Sequence, residues 1–139
     1  MSIYSDTKDA LKSQLEAHFD TLNYPIEVHP LPYQDILNFP AISLELTGRR
    51  KPKRGVGVRQ LEMTFNVWVY TNILDEEEAE EQCLEIVEMV EQAIELDKTL
   101  GGVSHYLSID DEVEFGTVEQ GQDFLQGARI SLVVQKRVP

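Results

Sequence analysis

The sequence predicts one α+β domain spanning residues 1–139, a mixed and mostly antiparallel sheet of about five strands packed by two main helices. Three observations carry this reading. Apolar residues recur at helical spacing between Leu11 and Leu22, they alternate strictly between Leu61 and Tyr70, and a second helical stripe runs from Ala79 to Ile94. The expected order is α-β-β-β-α-β-β, with a long basic loop between two of the strands. A chain of 139 residues lies near the modal domain size, so one core is expected.

Each element has its own local cause. Ser5 is the expected N-cap of a first helix over 6–22, Asp6 suits its positive end, and Leu11, Leu15, Phe19 and Leu22 form its buried stripe. Pro25 ends it. Ile26 and Val28 then make a short strand, and the Pro-punctuated stretch 30–40 reads as a loop. Ile42, Leu44 and Leu46 alternate with Ser43, Glu45 and Thr47 as a strand with one buried face. From Val58 to Tyr70 the strand pattern is clearest: Leu61, Met63, Phe65, Val67 and Val69 share one face, and Glu62, Thr64, Asn66, Trp68 and Tyr70 the other.

Asp75 and Glu78 form a capping pair, so a second helix begins there, with Ala79, Cys83, Ile86, Val87, Val90, Ala93 and Ile94 facing inward. Gly101 and Gly102 supply its stop. Val103, His105, Leu107 and Ile109 alternate as a further strand, and Ile130, Leu132 and Val134 as the last. The acidic residues 110–127 between them read as a Gly-containing arm.

Charge excludes some functions. The formal net charge of −13 disfavours general DNA binding by the surface as a whole, because a phosphate backbone is repelled. The charge is also sorted. Residues 48–59 hold Arg49, Arg50, Lys51, Lys53, Arg54 and Arg59, six of the 12 bases, and no acid; the other residues hold all 25 acids. Between Asp75 and Asp97 the second helix carries acids and no base, read either as a solvated face or as a docking face for a basic partner. Glu95 and Asp97 lie at the negative end of its dipole, where acids are mildly unfavourable.

Candidate chemistry is sparse. His18, His29 and His105 show no spacing that places two on one metal, and His105 occupies an apolar slot of its strand, as a buried imidazole would. Cys83 lies on the buried stripe as a small apolar filler, and one cysteine cannot make an internal disulfide. Gly55 and Gly57 precede a strand and lack the rest of a nucleotide fingerprint. We therefore expect no enzyme activity, no cofactor and no metal. No apolar run reaches the roughly 20 residues that span a bilayer, and the N-terminus lacks a signal peptide pattern, so no membrane is expected and the cytoplasm is the expected place of synthesis.

Two features invite contact with other molecules. The basic segment, Arg49, Arg50, Lys51, Lys53, Arg54 and Arg59, is too long and charged for a tight turn and reads as an exposed loop or as one that orders against acidic neighbours or phosphates. Trp68 and Tyr70 lie opposite the main apolar face of their strand. A sheet with helices on both sides would bury them; a one-sided sheet would offer them to another subunit.

Four segments, "PAISLELTG", "RQLEMTFNVWVY", "IVEMVEQAIELDKTLGG" and "GARISLVVQ", together with the order of elements, resemble the tail terminator (tail-completion) proteins of long-tailed bacteriophages. The resemblance covers most of the chain and implies a subunit of a hexameric ring in the virion. That ring would sit at the head-proximal end of the tail, stop growth of the tail tube, bind the tail tube protein and the head connector, and pass genomic DNA through its lumen. The family has no catalytic residues to carry over. The alternatives are another phage neck or head-completion subunit, and a non-viral acidic protein-binding module.

Overall fold

The computed structural model describes residues 2–30, 40–51, 59–73, 75–110, 112–120 and 123–138. The chain order is α1 (Ile3–Thr21), β1 (Glu27–His29), β2 (Ala41–Arg50), β3 (Arg59–Thr71), α2 (Glu76–Leu96), β4 (Tyr106–Ile109), β5 (Glu114–Gln120) and β6 (Asp123–Val138). The α+β class and mixed sheet are as predicted. The expected loop 30–40 falls largely on 31–39, outside the described residues, as do Lys53, Arg54, Gly55, Gly57 and Val58.

The strands form a six-stranded sheet in the order β1-β2-β3-β6-β4, with β5 also paired to β6. Among the described strands only the β1–β2 pairing is parallel. β3 occupies one side of β6 along residues 126–138, so β4, paired to 132–135, and β5, paired to 123–129, share its other side end to end.

Both helices lie on one face of this sheet. Leu11, Leu15 and Phe19 of α1 join Ile86, Val90, Ala93 and Ile94 of α2 in the same buried cluster as Leu61, Met63, Phe65, Val67 and Val69 of β3 and Ile130, Leu132 and Val134 of β6. Each large aliphatic side chain so removed from water contributes about 1.5–3 kcal/mol, while like-charged neighbours along α2 cost only a few tenths each. Burial therefore outweighs repulsion, and the acidic helix holds.

Several expectations are corrected. α1 starts three residues earlier, because Ser2 is the cap: its side chain accepts the Ser5 N–H at 3.1 Å. β2 continues past its apolar stretch to Arg50, carried across a bulge between Leu46 and Gly48, so Arg49 and Arg50 are strand residues and not loop residues. His105 precedes β4 and is exposed, and its backbone N–H donates to the Gln135 carbonyl at 2.7 Å. The acidic arm is largely sheet: β5 and the first part of β6 form a hairpin, giving six strands where about five were expected. The second helix ends at Leu96, ahead of the two glycines, which adopt φ of +70° and +91° in the turns that follow.

The end of α2 resolves the conflict at its dipole. Asp97 turns its carboxylate away from the helix to accept the Thr99 N–H at 3.0 Å and the Gly101 N–H at 2.8 Å, and these bonds with the Thr99 hydroxyl hold its pKa below the ordinary value. Gln14 of α1 reaches across and donates to the carbonyls of Ala93 at 2.7 Å and Asp97 at 2.9 Å, serving two acceptors at the helix C-terminus.

Candidate functional site

The face of the sheet opposite the helices is where the even-numbered side chains of β3 emerge. Nothing helical covers it among the described residues. Register places Ser43–Trp68–Arg129–Glu114 in one row across β2, β3, β6 and β5, with Glu45–Asn66–Ser131 in the next. The rows are joined by polar contacts. One Glu45 carboxylate oxygen accepts the Trp68 indole N–H at 3.1 Å and an Asn66 amide N–H at 3.3 Å, and the Ser131 hydroxyl donates to Asn66 at 3.2 Å. The Arg129 guanidinium lies 5.8 Å from the Trp68 ring centre and pairs with Glu114 at 2.5 Å. A carboxylate, an indole, a guanidinium and a second carboxylate thus run across four strands.

This arrangement orders a surface: Arg129 is paired with Glu114, and the Glu45 carboxylate is held by two N–H donors. Trp68 is half-buried within it. Tyr70 is buried at 2% exposure, its hydroxyl 2.9 Å from that of Ser43, and burial raises its phenol pKa. Tyr70 therefore packs within the subunit on a face that no helix covers among the described residues, while Trp68 keeps part of its surface in reach.

Gly116 and Gly127 face each other beside Tyr70, so that row of the open face carries no side chain on β5 or β6. A cleft of about 110 Å³ bordered by Trp68 and Arg129 opens there, and one of about 290 Å³ bordered by Glu76, Glu80, Cys83 and Phe115 opens at the edge of α2. Cys83 is 1% exposed, and burial pushes its thiol up to about 11. At neutral pH it stays protonated, which makes it a poor nucleophile. Among the described residues no cluster of His, Cys, Asp and Glu could hold a metal ion.

The basic candidates sit at the far end of β2. Arg49 is opposite Met63, Arg50 lies 3.8 Å from Glu62, and Lys51 follows; all three are exposed. Lys53 and Arg54 lie outside the described residues, and Arg59 opens β3, paired through its backbone with Val138. Arg49, Arg50 and Lys51 stand on a different part of the surface from Trp68 and Tyr70, several residue levels along the sheet.

The acidic candidate surface is the outer side of α2, where Glu76, Glu77, Glu78, Glu80, Glu81, Glu85, Glu88, Glu91 and Glu95 are all exposed. Lys98, 3.5 Å from Glu95, is the one base paired to this face among the described residues. Leu84 and Leu96 interrupt it at 44% and 69% exposure, giving an acidic surface with apolar points.

No protein-family model matches the chain, and no curated protein matches it either.

Sequence reading did not single out Glu45, Arg129 or Glu114. The one available signal was that Glu45 and Arg129 fall on the polar side of alternating strands; Glu114 lay in the acidic arm, and partnership across strands appears only once register is known. No helix among the described residues is long and apolar enough to cross a membrane.

Proposed function

We propose that this chain is a structural, ring-forming subunit of a long-tailed phage: a tail terminator that caps the completed tail tube, stops its polymerisation and presents the surface to which the head is joined. The observation that carries the reading is a sheet packed by helices on one face only among the described residues, with bases gathered at one end of β2 and acids along α2. A body built this way has unlike surfaces for unlike neighbours. The four sequence segments that resemble tail terminators add the identity of the assembly. The partners are copies of the chain, the tail tube protein and the head connector, with genomic DNA passing the lumen.

The reading is tested by electron microscopy of the protein mixed with cognate tail tubes. Rings at one end of each tube are expected. Binding to portal or connector rings in place of tubes would reassign the chain to another part of the neck. Replacing Arg49, Arg50, Lys51, Lys53 and Arg54 with neutral residues should lower ring occupancy with an unchanged circular dichroism spectrum; unchanged occupancy would remove the basic segment from the account.

A further inference from the structure

The two outer edges of the sheet differ in charge and in cover. β1 shields only Ala41–Ser43 of β2, so residues 44–50 have no strand on that side among the described residues. From Thr47 onward this edge is exposed, and it ends in Arg49, Arg50 and Lys51. At the opposite edge β5 pairs with β6 alone among the described strands, residues 114–117 are exposed, Asp110 and Glu112 lie on the approach, and Glu114 opens the strand. Phe115 there is 42% exposed.

Unpaired strand edges are templates for another strand, and proteins blunt them with charge and with bulges. Here the blunting is selective. Two β2 edges brought together would oppose base to base, and two β5 edges acid to acid. Only β2 against β5 brings opposite charges together. Strand direction agrees: β2 runs parallel to β6 and β5 antiparallel to it, so copies in the same orientation, the second shifted along the strands because Arg49 is level with Leu107 of β4 and β5 with the start of β2, would meet with β5 and β2 antiparallel.

We propose that the basic outer edge of β2 in one copy pairs with the acidic outer edge of β5 in the next, so that a second copy of this chain continues the sheet. This rests on the self-assembly reading above and adds to it the surface used. Because the paired edges differ, the contact is head-to-tail and propagates until it closes into a ring. Phe115 lies on the edge that becomes covered.

The test uses two variants of the whole protein. Arg49→Glu with Lys51→Glu makes the β2 edge acidic and leaves the Arg50–Glu62 pair in place; Asp110→Lys, Glu112→Lys and Thr117→Lys together make the β5 edge basic and leave the Glu114–Arg129 pair in place. Self-association is measured by sedimentation at rising protein concentration, and by ring occupancy on tail tubes. Each variant alone should associate at least about tenfold more weakly than the parent, since like charges now face each other. An equimolar mixture should recover parental association, because each variant offers the edge the other needs. Parental association by either variant alone, or a mixture as weak as its components, overturns the proposal, as does a parent protein that self-associates in neither setting. Edge-dependent association with no seating on tubes would uphold this contact and remove the tail-cap reading. Rings on tubes that ignore both charge reversals would do the opposite.

Discussion

Replacing Gln14 with Ala should destabilise the fold through a helix to which Gln14 does not belong. Its amide donates to the Ala93 and Asp97 carbonyls at 2.7 and 2.9 Å, at the end of α2 where no basic residue occupies the last turn. Each such bond contributes about 0.5–1.5 kcal/mol net. The site is part-buried, so water recovers some of the loss, and about 1–2 kcal/mol is expected for the pair. For a domain of this size that corresponds to a fall in melting temperature of roughly 3–7 °C. Gln14→Glu sharpens the test. At neutral pH it sets a carboxylate against carbonyls at the negative end of the dipole, and should cost more than Ala. Such a carboxyl would hold its proton more tightly in the fold, so the extra cost should shrink as pH falls towards about 4, where the protonated acid can donate again. Urea unfolding with a fixed m-value measures both variants. A loss below about 0.3 kcal/mol for Ala, or a Glu variant insensitive to pH, would refute the claim that α1 caps α2.

Three further outcomes follow from the geometry. Ile86→Ala empties a fully buried site between α2 and the sheet and should cost about 2–5 kcal/mol by urea unfolding. Glu45→Ala removes the acceptor of both Trp68 and Asn66, so the emission of this single tryptophan should change and stability should drop by about 1–2 kcal/mol, while an unaltered spectrum would dissolve the proposed network. At alkaline pH, Cys83 holds its proton in the fold up to about 11 against an ordinary 9.0. The unfolded chain ionises first, so stability is intact below pH 9 and falls as pH rises through this window, by at most about 2–3 kcal/mol from this group. Tyr24 and Tyr70, both raised by burial, act in the same direction, so Cys83→Ala should flatten the decline without abolishing it in a series of unfolding curves across that range.

What the sequence made legible follows from where one face was buried and the other wet. β3 alternates because its odd positions meet both helices while its even positions meet an open face, and α2 announces itself through the Asp75 cap, whose carboxylate accepts the Glu78 N–H at 3.0 Å. β5 was missed because residues 114–117 are exposed on both sides, so no apolar rhythm distinguished a strand from an acidic arm. The outer part of β2 was missed for the same reason: beyond Leu46 it leaves the core, and its pairing with β3 is held by the backbone ladder and exposed polar contacts such as Arg50 with Glu62. His105 misled because alternation was projected one turn too early; the strand begins at Tyr106, after the turns that follow α2. The links of Gln14 to α2 and of Arg129 to Trp68 join residues far apart in the chain, and no local pattern encodes them.

The most direct test of the central claim is the length of tail tubes grown from cognate tube protein with and without this chain. If the protein caps tubes, elongation stops once it is added and lengths stay fixed, with a ring at one end. Tubes that keep lengthening at saturating protein would contradict the account.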